Sequence, residues 1–210
     1  MNRAEEIIDI LENNYPEAHC ELNYGTDFQL LVSVILSAQC ADKRVNEVTA
    51  RLFPLYSTPE QFASLSEEDL EPIIRPCGFF RSKARSIISS SKDIIGRFGG
   101  NVPRNFEDLL SLRGVGRKTA NVICGVAFNQ PAIPVDTHVY RTSHRLGLSS
   151  GKTPDKVEED LVKQLSENMR MKAHHLLIFF GRYRCHSQKP ECKGCPVSQY
   201  CNYLNNKEIN

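Results

Sequence analysis

Little in the totals of this chain commits it to a function. Its 26 Lys and Arg against 25 Asp and Glu leave a formal net charge of +1. No overall field therefore draws it to a nucleic acid or a membrane, and any such surface must come from local clustering. No apolar run approaches the ~20 residues that span a bilayer. The N-terminus, Met1-Asn2-Arg3-Ala4-Glu5-Glu6, has neither the apolar core of a signal peptide nor the Arg-rich, acid-poor pattern of a transit peptide. A soluble, intracellular protein without membrane contact is expected. The period-two alternation of half-buried strands is missing as well. Cysteine is not scarce, with eight in 210 residues, but it is unevenly spread. Cys20, Cys40, Cys77 and Cys124 lie scattered among apolar residues and read as reduced core side chains. Cys185, Cys192, Cys195 and Cys201 crowd together near the C-terminus, which argues for a metal-bound tail and against a secreted disulfide framework.

What is present is helical punctuation. A chain of this length can build one large domain or two small ones around a real core. Asn2 is placed to cap a first helix with Ile7, Ile8, Ile10 and Leu11 on one face, and Tyr15-Pro16 stops it. Thr26-Asp27 caps Phe28 to Ser37, which has almost no polar face and should be buried at the centre of a bundle. Asp42 starts a helix to Arg51. Thr58-Pro59-Glu60 and Ser66-Glu67-Glu68-Asp69 start short ones, the latter a capping box with Asp in the usual Glu place. Arg81 to Phe98 is a long helix with Ala84, Ile87, Ile88, Ile94 and Ile95 inward. Val135-Asp136-Thr137-His138 opens a helix to about Leu146, Thr153-Pro154 opens the next, and Met171 to Gly181 is apolar. The chain is predicted to be all-α.

One stretch stands out, Leu112-Arg113-Gly114-Val115-Gly116-Arg117-Lys118-Thr119-Ala120. It ends a helical pattern over Phe106 to Leu112, turns through two glycines and opens another helix at Lys118 or Thr119. Glycines on either side of an inward Val115 let the backbone take positive φ and approach a ligand closely. Amides running from such a turn into a helix N-terminus cradle a phosphate. Since few side chains here could read a base, the natural ligand is a nucleic-acid backbone. The competing account is an ordinary helix corner with solvated basic residues.

The tail, Cys185-x6-Cys192-x2-Cys195-x5-Cys201, carries four soft ligands that suit either Zn²⁺ or an iron–sulfur cluster. Zinc ribbons use two close pairs, and only Cys192 and Cys195 are close here. The wider gaps favour a [4Fe-4S] cube. His138, His174 and His175 read as structural or DNA-facing side chains, since four thiols already suffice.

Taken together, the glycine hairpin with Lys118, the run Val135-Asp136-Thr137-His138-Val139 and the four-cysteine tail resemble the endonuclease III family, from the first helix to Cys201. The resemblance implies helix–hairpin–helix DNA glycosylases with AP-lyase activity, built as two all-α domains. A six-helix barrel would cover 22–132, and a cluster domain would combine 1–21 with 133–210 around a [4Fe-4S] cluster held by Cys185, Cys192, Cys195 and Cys201. DNA would lie in a cleft between the domains, with Lys118 as amine nucleophile and Asp136 as catalytic carboxylate. Gln39 resembles the side chain that fills the hole left by an extruded base. Phe79 stands where the family usually has a smaller apolar wedge, and Arg113 where many members have Pro. The hairpin residues Arg113, Gly114, Val115 and Gly116 would bind DNA. Lys189, in the loop between the first two cysteines, would add a contact that Glu191 dilutes.

The implied activity is excision of oxidised pyrimidines from damaged duplex DNA, followed by β-elimination 3′ to the abasic site through a lysine Schiff base. The partner would be double-stranded DNA with damaged bases or abasic sites, bound by a monomer. The location would be the cytoplasm, nucleoid-associated in a prokaryote. A base cannot be excised inside a duplex, so the nucleotide must be flipped out at a cost of a few kcal/mol. Two other readings compete. A monofunctional adenine glycosylase leaves Lys118 without a purpose, and a non-catalytic DNA-binding module gives no reason for Lys118 and Asp136 together. Asp136 also makes an ideal helix N-cap.

Overall fold

Local capping chemistry decides where most of the helices begin. The computed structural model describes residues 2–208, and among them every regular element is helical. Helix α1 (Arg3–Asn14) starts at Asn2, whose side chain accepts from the Ala4 and Glu5 N–H groups while Glu5 reaches back. Helix α2 (Asp27–Ser37) starts on Thr26, and α3 (Asp42–Leu52) follows Ala41 without a side-chain cap. The short α4 (Pro59–Ala63) and α5 (Glu67–Ile74) both carry capping boxes, on Thr58 with Gln61 and on Ser66 with Asp69. A 3₁₀ turn over Arg75–Cys77 then leads into α6 (Phe80–Phe98). Asn105 caps α7 (Phe106–Leu110), and α8 spans Arg117–Phe128. Asp136 caps α9 (Thr137–Arg145), and Thr153 caps α10 (Pro154–Gln164) with Pro154 in the first turn. The chain ends in α11 (Glu167–Tyr183), a 3₁₀ turn over Ser198–Tyr200, and α12 (Asn202–Glu208).

Chain contacts divide the molecule into two units. The first is Glu21–Phe128, organised on α2, whose side chains from Phe28 to Leu36 are buried apart from Gln29. Such a helix must be covered on all sides, and α3, α6 and α8 pack on it. Helices α4 and α5 lie on α6, and α7 lies on α8. Phe62 is fully buried between Phe28 and Tyr56, with edge-on ring centroids 5.5 and 6.1 Å away.

The second unit joins Met1–Cys20 to Asn129–Asn210. Its core sets Ile7, Ile8 and Leu11 of α1 against Val139 of α9, Leu161 of α10 and Leu176, Leu177 and Phe180 of α11. Arg3 ties the N-terminal helix down by donating to the carbonyls of Leu146 and Tyr200, at 3.0 and 2.8 Å.

Several boundaries differ from those the sequence predicts. Helix α7 stops at Leu110, and Leu112 is buried within the turn that follows. Helix α11 begins at Glu167, four residues before Met171, so a polar first turn precedes the apolar run and belongs to the same helix. Helix α12 has no counterpart in the sequence reading. Ile95, expected inward, is 37% exposed.

Candidate DNA interface and cysteine pocket

The glycine hairpin is fixed by two requirements at one residue. Gly114 takes φ +80°, and a Cβ added there would lie 2.6 Å from the Ser86 Cβ. No other residue meets both the dihedral and the contact. Ser90 Oγ donates to the Arg113 carbonyl at 2.7 Å, so α6 grips the turn at two points one helical turn apart. Val115 is buried and its N–H donates to the Leu112 carbonyl at 3.2 Å. Gly116 corrects the sequence reading: its φ is not positive, and an added Cβ would meet nothing within 4 Å. The outer face of the turn is therefore open at Gly116, and the backbone shape there does not require glycine. Arg113, Arg117 and Lys118 are exposed, and the last two open α8. A helix start offers N–H groups and positive potential to a phosphate.

Two further expected DNA contacts belong to the same unit and share an unusual backbone. Gln39 and Phe79 have φ of 53° and 47°, and both are exposed, Phe79 by 67%. A non-glycine residue in left-handed conformation is uncommon and for a bulky side chain is an outlier. In proteins generally, such backbone outliers cluster at functional sites. Lys189, in the other unit, is also exposed with φ 49°. The fourth such residue among those described, Asn129, is of a type that tolerates the conformation.

In the second unit, half-buried Asp136 accepts from the Val139 N–H at 2.7 Å, so its capping role is realised. His138 Nδ1 lies 3.2 Å from Arg141 Nη2. His174 is buried, with Nδ1 2.7 Å from the Pro134 carbonyl. Burial, reinforced by His174 and His19, pushes the neighbouring His175 down to about 3, which keeps it neutral.

The tail cysteines converge. Cys185, Cys192, Cys195 and Cys201 line one apolar cavity together with Arg145 and Phe180. Cys192 and Cys195 are joined by a turn in which the Cys195 N–H donates to the Cys192 carbonyl at 3.1 Å and Gly194 takes φ +67°. Among the described residues no three His, Cys, Asp or Glu side chains are close enough to share a single metal ion. Three arginines that the sequence reading did not single out staple this tail. Arg145 donates to Cys185 Sγ at 3.3 Å and to the His186 and Ser187 carbonyls at 2.6 and 3.0 Å. Arg141 donates to the Cys185 carbonyl at 3.1 Å, and Arg184 to the Glu191 and Lys193 carbonyls at 3.1 and 2.8 Å. Their signal was present: two arginines four apart on α9 and one beside the first cysteine.

Known proteins share this fold. Residues 32–167 match the family model described as HhH-GPD superfamily base excision DNA repair protein. Endonuclease III of Rickettsia conorii is 45% identical over 201 residues, covering 96% of this chain and 96% of that protein. Endonuclease III of Escherichia coli is 39% identical over 211 residues, with both chains covered completely. The solved structure of a non-covalent endonuclease III–DNA complex superposes with a TM-score of 0.94 at 41% identity, and a trapped endonuclease III–DNA covalent intermediate with 0.93 at 43%. Both cover all of this chain and all of their own.

Proposed function

The chain belongs to the HhH-GPD superfamily of base excision DNA repair proteins and within it to the endonuclease III family; it is a DNA glycosylase with AP-lyase activity, and we propose that it acts on oxidised pyrimidines in duplex DNA through Lys118 and Asp136. The observation that carries the assignment of Lys118 is its place: it is exposed in the first turn of α8, directly after a hairpin whose Gly114 admits no side chain and whose Gly116 leaves its outer face open.

The reaction follows from these groups. Hairpin amides, Arg113 and Lys189 hold phosphates and set the register without reading sequence. Gln39 and Phe79 occupy the space left by the flipped nucleotide, offsetting part of the few kcal/mol that extrusion costs. As the base leaves, positive charge develops on the sugar, and the Asp136 carboxylate stabilises it by charge placed in advance. The unprotonated Lys118 amine attacks C1′, the bond from C1′ to the base breaks with the departing base taking a proton from water, and Asp136 accepts the proton the amine sheds. Ring opening breaks the C1′–O4′ bond as O4′ takes up the proton held by Asp136, and the protonated Schiff base left at C1′ makes the C2′ proton acidic. Its removal forms the C2′–C3′ double bond and expels the 3′ phosphate, cutting the strand 3′ to the lesion. The nitrogen is then released by hydrolysis.

The four thiols fit a [4Fe-4S] cluster better than a single zinc ion. All four cysteines line one apolar cavity, and their spacing has only one close pair, Cys192 and Cys195, where a zinc ribbon would use two. The guanidinium of Arg145 at Cys185 Sγ suits a ligand that carries negative charge. The cluster would act as a structural staple that shapes the loop carrying Lys189. The ligand is duplex DNA with a damaged base or abasic site, bound by one copy of the chain in the compartment that holds the genome.

A duplex with one oxidised pyrimidine tests the reading. Base release accompanied by strand cleavage without added alkali is expected. Base release that leaves the strand intact until alkali is added would mean a monofunctional glycosylase.

A further inference from the structure

The turns that carry Gln39 and Phe79 are strained in a way that requires support. Gln39 is the third residue of the turn Ser37–Cys40, after Ala38 at φ −56° and ψ 113°, and the Cys40 N–H donates to the Ser37 carbonyl at 3.0 Å. This is type II geometry, where the third residue is ordinarily Gly. Phe79 holds φ 47° and ψ 28° just before α6. Strain of this kind persists only where the surroundings over-determine it.

One side chain reaches both turns. Lys83, 5% exposed and one turn into α6, donates from Nζ to the Leu36 carbonyl and to the Cys77 carbonyl, each at 2.8 Å. Leu36 lies three residues before Gln39, and Cys77 two before Phe79. The backbone N–H of Lys83 donates to the Phe79 carbonyl itself at 3.0 Å. A cation suits the place, because the Leu36 carbonyl belongs to the C-terminal turn of α2, the negative end of its dipole. Burial pushes the amine below its ordinary value, and the nearby Cys40 and Cys77 sulfurs oppose that. Lys83 has no part in the excision chemistry, and its burial keeps it from DNA.

We propose that Lys83 is a positioning residue that locks the Gln39 and Phe79 turns to each other and so sets how well the protein distinguishes a lesion from intact duplex. This rests on the reading of Gln39 and Phe79 as the side chains that fill the space of a flipped nucleotide.

Lys83→Met keeps the apolar stem and removes both donated hydrogen bonds. Affinity is measured for a duplex with a tetrahydrofuran abasic analogue and for the undamaged duplex, at a temperature where circular dichroism shows the variant folded. Groups that act through one another couple strongly, so the lesion preference should fall about tenfold with undamaged binding nearly unchanged, and the same substitution should change it less than about twofold in a Gln39→Ala, Phe79→Ala background. A parental preference in folded Lys83→Met, or the full loss in that background, overturns the proposal. Nitrogen-15 spectra of side-chain-labelled lysine in the parent protein carry the test if the variant does not fold. The slowly exchanging buried ammonium should shift when the abasic-analogue duplex binds and not with the undamaged one. An ammonium equally indifferent to both duplexes rules the positioning role out. A parent protein that shows no preference for the analogue would count against the functional reading instead.

Discussion

Replacing Asp136 separates its two jobs, because they respond differently to the same pair of substitutions. Its side chain accepts from the Val139 N–H at 2.7 Å, and losing an N-cap to Ala costs about 0.5–2 kcal/mol, whereas Asn caps about as well as Asp. The charge against the dipole of α9 adds about 0.3–1 kcal/mol. At about 2–4 °C per kcal/mol for a chain of this size, Asp136→Ala should melt about 1–8 °C below the parent and Asp136→Asn above Asp136→Ala. Activity should ignore that ranking. A neutral amide can neither stabilise the sugar cation by charge nor accept the amine proton. Losing one preorganised electrostatic contact of this kind costs about 10²–10³-fold in rate, so both variants should lose excision together. The loss should be smaller for strand cleavage on a pre-formed abasic site, where no base has to leave. The assay is single-turnover excision by Asp136→Asn at a temperature where melting curves show it folded. Near-parental excision there would leave Asp136 as a helix cap and nothing more.

Three other outcomes follow from the geometry. Gly114→Ala meets both a positive φ and the Ser86 Cβ at 2.6 Å, so it should lower the melting temperature, while Gly116→Ala, with nothing within 4 Å, should melt like the parent yet bind DNA weakly; equal effects on stability and binding at both positions would refute that division of labour. His175 is held near 3 against 6.5 for the free side chain, so between those values the unfolded chain takes up a proton that the folded one refuses, and stability must fall as pH drops through that window. The urea midpoint of the parent should therefore fall more than that of His175→Gln between about pH 7 and pH 5, and parallel losses would clear His175. Anaerobically purified protein should be brown, with iron and sulfide near about four each per chain as a [4Fe-4S] centre requires, and stoichiometric zinc without visible absorption would overturn the cluster assignment.

What could be read from the sequence was whatever chemistry acts within a few residues. Asn2, Thr26, Ser66, Asp136 and Thr153 cap their helices as their side chains dictate, and the near-absence of polar residues in α2 was enough to place it at the centre of its unit. The hairpin was legible as a glycine turn, but which glycine admits no side chain was not, because the atom that would meet it is on Ser86 of another helix. Lys83 was invisible for the same reason. It sits among the polar residues Arg81, Ser82 and Arg85, and only the tertiary approach of Leu36 and Cys77 gives its charge a purpose. The arginines around the tail had a visible spacing, yet their targets are backbone carbonyls, which carry no signal in a sequence. Ile95 looked like core by its apolar character, but the helix presents Ile94 to the interior and turns Ile95 outward.

Lys118 is the residue on which the account turns, and its chemistry leaves a covalent trace. A Schiff base between the Lys118 amine and C1′ is reduced by borohydride to a stable amine that links protein to DNA. Parent protein incubated with an abasic duplex and borohydride should run as a cross-linked species on a denaturing gel, and Lys118→Gln should bind the same duplex without forming it. A Lys118→Gln protein that traps at the parental yield would show that another amine performs the attack.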